Sequence, residues 1–121
     1  MILVDTSVWI SHFREADSVL IDLLSADKVL THPFVIGEIA LGNLHDRMSV
    51  LADLYDLPRA ISATDEEAMS LIEREQLFGL GIGYIDLHLL AATRLTPGAG
   101  LWTLDKRQAE IATRLGLAAD L

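Results

Sequence analysis

The sequence predicts an α/β fold in which a central, mainly parallel sheet of four to five short strands is covered by helices on both faces. Short apolar runs rich in β-branched residues alternate with longer segments of helical periodicity. Strands that alternate with helices form parallel sheets, which are buried on both faces. With 121 residues, 51% of them hydrophobic, the chain is expected to form one folded domain over residues 1–121.

The opening 25 residues predict one strand and two helices. The aliphatic run Ile2–Val4 indicates a buried strand that ends at Asp5. A helix is predicted over Thr6–Arg14, and a second helix over Ser18–Ser25. The predicted inner face of the first helix consists of Val8, Trp9, Ile10 and Phe13.

A second strand and two more helices follow. Lys28–Thr31 is the predicted strand, and the proline at position 33 suits the first turn of a helix over Pro33–Leu41. Gly42 and Asn43 break that helix, and another is predicted over Asp46–Leu54.

The next segment contains a short strand candidate, Arg59–Ala63, and a helix with a clear start. Thr64 and Glu67 have the spacing of a capping box, in which each side chain bonds the other residue's backbone N–H. Gly79 is a credible stop for this helix. Its apolar residues at helical spacing are Ala68, Met69, Leu71, Ile72, Leu77 and Phe78.

The last segment repeats the alternation once more. A loop with alternating glycines runs through Gly83 into a predicted helix over Ile85–Leu95. After a turn, Leu101–Leu104 is predicted to be a strand. The final helix is predicted over Lys106–Leu115 and ends at Gly116.

Four acids occupy positions where they could share one crevice. Asp5 and Asp105 each follow a predicted strand, at the sheet edge where ligands bind in such folds. Glu38 and Asp86 lie on helices, and Glu38 stands in an apolar helix where a charge is costly unless it is paired or binds a metal. Each acid also has a purely structural explanation. Asp5 and Asp105 can cap helices, Asp86 can favour a helix dipole, and Glu38 can face a narrow solvent stripe.

Together the four acids indicate chemistry that none of them indicates alone. Clustered carboxylates raise one another's pKa values unless a cation compensates. Carboxylate oxygens suit Mg²⁺ or Mn²⁺, and such a site can hydrolyse phosphodiester bonds. The formal net charge of −9 argues against a generic nucleic-acid binder, so a bound cation would be needed to attract phosphate.

Four segments carry a family resemblance: LVDTSVWI, FVIGEIALG, YIDLHLLAA and LWTLDKR, in this order along the whole chain. They resemble the PIN-domain ribonucleases, and more closely the VapC toxins of bacterial VapBC toxin–antitoxin systems. The resemblance implies a PIN-like three-layer α/β/α sandwich and a Mg²⁺- or Mn²⁺-dependent endoribonuclease. It also implies a homodimer inhibited by a small VapB-type antitoxin. The family's metal-binding acids fall on Asp5, Glu38, Asp86 and Asp105.

The resemblance assigns supporting roles to nearby polar residues. Thr6 and Ser7 match the polar pair that follows the first acid in the family and helps orient the site, and Ser7 is the better candidate for a hydrogen bond. Lys106 and Arg107 could contact RNA phosphate, or could be solvated helix residues. Some relatives carry a further acid where this chain has Arg107, so we expect a site of four acids. Asp105 would then complete the site directly or through water.

Other functions remain open at this point. The same fold occurs in RNA-processing nucleases that are not toxins, and an inactive acidic site could serve as a binding module. A receiver-like signalling module fits poorly, because such a module needs adjacent acids near the first strand and Asp5 has no acidic neighbour until Glu15.

The composition also predicts the compartment. The chain has no cysteine, which excludes a disulfide framework or a thiolate metal site and suits a reducing cytosol. The N-terminus lacks the pattern of a signal peptide, and every apolar run is shorter than the roughly 20 residues that span a bilayer. We therefore expect a cytoplasmic protein that makes no contact with a membrane.

Overall fold

A three-stranded parallel sheet lies at the centre of the structure, a computed structural model that describes all 121 residues. Seven helices surround it. In chain order the elements are β1 (Ile2–Val4), α1 (Thr6–Arg14), α2 (Ser18–Ser25), β2 (Val29–Leu30), α3 (Pro33–Ala40), α4 (Arg47–Asp56), α5 (Asp65–Glu75), α6 (Tyr84–Leu95), β3 (Gly100–Trp102) and α7 (Lys106–Arg114). The predicted helices are all present, and none of them is both long and apolar enough to span a bilayer.

The strand order is β2-β1-β3, and both outer strands run parallel to β1. From β1 the chain moves through two helices to one neighbour, then through four helices to the neighbour on the other side. Because parallel crossovers are right-handed, movements in opposite directions place their helices on opposite faces of the sheet. The middle strand is therefore covered on both sides, and Leu3 and Val4 are completely buried. The predicted α/β fold with a parallel sheet is confirmed.

The sheet has three strands, fewer than the four to five predicted, because the segment Arg59–Ala63 pairs at one residue only. Thr31 forms a single bridge with Arg59, through hydrogen bonds of 2.8 Å to the carbonyl of Pro58 and 2.9 Å from the N–H of Ala60. His32 then caps α3, so the chain turns into a helix before a longer ladder can form.

Some residues predicted to face the core are exposed. On α1, Val8 and Trp9 are buried, but Ile10 and Phe13 are 38% and 40% exposed, because they line a surface groove between α1, α3 and α4. Met69 of α5 is also exposed. Phe78 is 62% exposed because it lies beyond the end of α5, where helical spacing no longer predicts its direction.

Gly100 of β3 packs closely against the C-terminal segment of the chain. A Cβ at this position would lie 2.7 Å from the Cα of Ala119. Hydrogen bonds on both sides of Leu101, of 2.7 Å and 2.9 Å, hold that segment beside the strand. We expect Gly100→Ala to lower the free energy of unfolding by about 1–3 kcal/mol, as overpacking does elsewhere. Urea denaturation would measure the change.

Gly37→Ala, in α3, is the matched control, and we expect it to change the free energy of unfolding in the opposite direction. A Cβ there would meet nothing within 4 Å, so Gly37→Ala should only improve helix propensity and raise the free energy of unfolding by about 0.5–1 kcal/mol. A stable Gly100→Ala protein would contradict the close packing at β3.

Candidate active site

Two of the four acids lie where the carboxyl ends of β1 and β3 meet the N-termini of helices. Asp5 directly follows β1 and caps α1, and its side chain accepts a hydrogen bond from the N–H of Ser7. Asp105 follows β3 after a short turn and caps α7, where it accepts a hydrogen bond of 2.9 Å from the N–H of Gln108. Both residues are thus helix caps, and both stand at the sheet edge predicted to bind a ligand.

Asp5 is a buried charge, 5% exposed, held by three donors. Its Oδ2 atom accepts hydrogen bonds from the Ser7 hydroxyl at 2.6 Å, the Ser7 N–H at 3.2 Å and the Thr103 hydroxyl at 3.0 Å. These donors offset the cost of removing a carboxylate from water. All three bonds go to one oxygen, so the other oxygen of Asp5 takes no hydrogen bond from the protein.

Glu38 reaches the site from α3, which packs on α1. It is half-buried, and its Oε1 atom accepts a hydrogen bond of 2.8 Å from the hydroxyl of Thr6. This contact links the first turn of α1 to the helix that carries Glu38. Glu38 is therefore neither fully buried nor simply turned to solvent.

Asp86, in the first turn of α6, is the acid whose titration the charges of the other three acids affect. Its pKa is raised, first by burial and then by the negative charges of Asp5 and Asp105. Glu38 adds to the increase, and a hydrogen bond from the backbone of Gly83 opposes it. The structure therefore brings the other three predicted acids into electrostatic range of Asp86, although the four come from separate parts of the chain.

The donors at this edge fit a hard divalent cation. Carboxylate oxygens are the ligands that Mg²⁺ and Mn²⁺ prefer, and a cation would relieve the repulsion that raises the pKa of Asp86. However, no three acidic, histidine or cysteine side chains of the chain stand close enough together to hold a metal ion as they are placed. Cation binding would therefore require side-chain rotation that draws the acids together.

Comparison with known proteins identifies the family. The family model for the PIN domain matches residues 2–114, a range that includes all four acids. The chain belongs to the PIN-domain family. It is 45% identical over 121 residues to "Ribonuclease VapC32" of Mycobacterium tuberculosis, both in strain CDC 1551 and in strain H37Rv. The alignment covers 98% of this chain and 95% of that relative. The resemblance inferred from four short segments is confirmed.

The polar residues around the first acid of this PIN domain share its contacts. Ser7 donates to Asp5 and also accepts a hydrogen bond of 3.0 Å from the N–H of Leu104. Thr6 contacts Glu38 instead. Two further polar residues in contact with the acids, Thr103 and Gln108, were not predicted from the sequence. Only the position of Thr103 in the segment LWTLD, between a strand and an acid, could have indicated it.

The two basic residues that follow Asp105 differ in their surroundings. Both Lys106 and Arg107 are exposed. The guanidinium of Arg107 donates a hydrogen bond of 3.4 Å to the carbonyl of Gly81, in the loop that leads into α6. Lys106 makes no hydrogen bond or ion pair with the protein, so its ammonium group is available to a ligand.

Two histidines of this PIN domain are buried, His32 at the start of α3 and His88 in α6. His32 and His88 flank Phe34, with ring centroids 5.1 Å apart in each pair, and Tyr84 packs on His88. Burial and the neighbouring His88 lower the pKa of His32 to about 4. His32 is therefore neutral at neutral pH, and its Nδ1 atom can accept the 3.0 Å hydrogen bond from Phe34 that caps α3. That cap supports the helix that carries Glu38.

Proposed function

We propose that this protein is a metal-dependent endoribonuclease toxin of a type II toxin–antitoxin system, hydrolysing RNA phosphodiester bonds at a four-carboxylate site. The observation that carries the proposal is the convergence of Asp5, Glu38, Asp86 and Asp105 at one sheet edge, where three of these charges raise the pKa of the fourth. The 45% identity to a protein named as a VapC ribonuclease supports the same activity.

Each acid has a role that follows from its position. Asp5, Glu38 and Asp86 would hold Mg²⁺ or Mn²⁺, and Asp105 would complete the site directly or through water. The bound cation would supply activation of a water nucleophile and neutralisation of charge at the phosphate. Ser7 and Thr103 hydrogen-bond the Asp5 carboxylate, and Thr6 hydrogen-bonds Glu38. These contacts would support the two ligands, while rotation of the acid side chains would still be needed to enclose the cation.

Purified protein incubated with RNA in Mg²⁺, in Mn²⁺ and in EDTA tests the activity directly. Cleavage that requires a divalent cation is the expected result. RNA that stays intact in both metals would favour the alternative of an acidic binding module without catalysis. Growth arrest on expression, relieved by the product of a neighbouring reading frame, would distinguish a toxin from an RNA-processing nuclease of the same fold.

Lys106 is the residue we propose for an RNA phosphate contact, because it stands next to Asp105 with its charge unpaired. We expect Lys106→Ala to weaken RNA binding. The slope of log Kd against log salt concentration should fall by about 1, as expected for the loss of one phosphate contact. The measurement is fluorescence anisotropy with a non-cleavable RNA at several salt concentrations.

The chain has one other lysine, Lys28, which supplies a matched control. It is exposed and directly precedes β2, so it lies at the opposite edge of the sheet from the acids. Lys28→Ala removes the same charge and should leave the salt dependence unchanged. Equal effects of the two substitutions would show a response to net charge alone and would contradict a phosphate contact at Lys106.

The proposal includes a VapB-like antitoxin, a homodimer and a cytoplasmic location. The groove of about 410 Å³ beside α1 is lined by Ile10, Phe13, Ile39, Leu44 and Val50 among others. A neighbouring depression shares Ile10 and Arg14 with it and is lined also by Thr6 and Ser7. The groove and the acidic site are thus adjoining surfaces. An antitoxin segment lying in the groove could place an arginine or lysine on the carboxylates.

A further inference from the structure

Gln108 is a completely buried amide that connects three parts of the acidic site. It lies in the first turn of α7. Its Nε2 group donates a hydrogen bond of 3.3 Å to the main-chain carbonyl of Asp86, and its Oε1 atom accepts one of 2.9 Å from the hydroxyl of Thr103. Its own N–H donates to the carboxylate of Asp105. The side chain therefore joins the start of α6 to the turn after β3, and the backbone N–H of the same residue holds the cap of α7.

The hydroxyl of Thr103 has two competing acceptors. It carries one proton, and it lies 3.0 Å from Oδ2 of Asp5 and 2.9 Å from Oε1 of Gln108. A carboxylate is the stronger acceptor while its charge is uncompensated. If Asp5 held a cation, even through its other oxygen, the charge on Oδ2 would be partly neutralised, and the amide oxygen of Gln108 would become the competitive acceptor for that proton. The side chain of Gln108 thus allows Thr103 to remain hydrogen-bonded in both situations.

The chemistry at this position specifically requires a neutral amide. A glutamate would place a fifth negative charge beside acids that already raise the pKa of Asp86, and it would turn an acceptor towards the Asp86 carbonyl. An apolar side chain would leave the half-buried Thr103 hydroxyl with one acceptor fewer and would release α6 from α7. Only an amide of this length donates to one element and accepts from the other.

We propose that Gln108 is a positioning residue that holds the acid-bearing turns of α6 and α7 and the Thr103 hydroxyl in register, and thereby sets the affinity of the site for a divalent cation. This inference rests on the proposed function. Its contribution resembles that of other residues behind metal ligands, whose loss typically weakens metal binding about 10- to 100-fold.

The first test is Gln108→Met, which keeps the length of the side chain and removes both of its hydrogen bonds. We expect Mn²⁺ affinity, measured by calorimetry on the folded protein, to fall roughly tenfold. The kcat for RNA cleavage should fall at fixed Mn²⁺ while KM for RNA stays the same, because Gln108 does not face the substrate. Ile111→Val is the control, since it removes a methyl group from the buried face of the same helix one turn away.

A second measurement needs no substitution. The chain has two glutamines, Gln108 and the exposed Gln76. On addition of Mg²⁺ the side-chain amide NMR signals of Gln108 should shift, while those of Gln76 should stay in place. This result would support the inference even if Gln108→Met failed to fold.

The outcomes separate the inference from the proposed function. Wild-type protein that binds Mn²⁺ and cuts RNA, together with unchanged Mn²⁺ affinity in Gln108→Met or unmoved Gln108 signals, would overturn the inference alone. Wild-type protein that neither binds the cation nor cuts RNA would overturn both.

Discussion

Asp5→Asn is expected to lower RNA cleavage by about a hundredfold or more, while the protein remains folded. The reason is that asparagine caps a helix as well as aspartate does, so α1 keeps its start. The substitution removes one carboxylate charge from the centre of the site. Loss of a residue behind a metal ligand costs about 10- to 100-fold, and loss of a ligand's charge should cost at least as much. A hundredfold decrease in kcat/KM corresponds to about 2.7 kcal/mol. The measurement is the cleavage rate of a labelled RNA in Mg²⁺ and in Mn²⁺.

Asp17 provides the matched control for this substitution. It caps α2 as Asp5 caps α1, with hydrogen bonds of 2.9 Å and 3.1 Å from two backbone N–H groups. It lies at the start of a helix that carries none of the four acids. Asp17→Asn should therefore leave cleavage unchanged. If both variants cleave RNA like the wild type, Asp5 is only a helix cap and the metal site must be sought elsewhere.

The helices could be predicted well because their signals are local. Thr64 and Glu67 form both hydrogen bonds of a capping box, and α5 begins at the next residue after Thr64. The predicted bounds of α1 and α2 agree with the structure at both ends. Capping residues act on neighbours a few positions away, so their effect can be judged from sequence alone.

The number of strands and the direction of some side chains could not be predicted in the same way. Whether Arg59–Ala63 forms a strand depends on how far its partner segment stays extended, and that segment turns into α3 at His32. Ile10 and Phe13 have the spacing of core residues, yet they line the groove beside α1. Helical spacing identifies an apolar face, but tertiary packing decides what covers it.

The site could be predicted in part for a related reason. The sequence indicated the four acids because parallel strands end at a common edge and because a charge in an apolar helix is unusual. Thr103 and Gln108 are ordinary polar residues when their neighbours in sequence are considered. Their importance comes from partners 98 and 22 positions away, respectively, which only the folded chain brings into contact.

Asp86→Asn is expected to abolish cleavage and, at the same time, to make the metal-free protein more stable. Burial and the neighbouring acids raise the pKa of Asp86, so its ionised form costs free energy in the folded state. Asparagine removes that cost. Because the site is partly open to solvent, we expect a gain of about 1 kcal/mol or less, or roughly 2–5 °C in Tm at neutral pH. The measurement is thermal unfolding of both proteins in EDTA.

The dependence on pH and on metal follows from the same argument. The cost is absent below the ordinary pKa of an aspartate and is fully present above the raised pKa, so the advantage of the asparagine variant should grow as the pH rises. His32, whose pKa is about 4, also makes stability depend on acid pH, but it is common to both proteins and cancels in the difference. Mn²⁺ at a free concentration of 100 times its Kd should add about 2.7 kcal/mol to the free energy of unfolding of the wild type and thereby raise its Tm. The Tm of the variant should rise much less.

Glu66→Gln separates crowding of the acids from an ordinary helix-end effect. Glu66 is an exposed acid in the first turn of α5, just as Asp86 lies in the first turn of α6. A negative charge there is favourable to the helix dipole, so its removal should lower stability by about 0.3–1 kcal/mol. If the dipole also dominated at Asp86, Asp86→Asn would be destabilising and the two variants would change Tm in the same direction. Opposite signs would instead show that repulsion and burial dominate at Asp86, as expected of a site that requires a cation to relieve its charge.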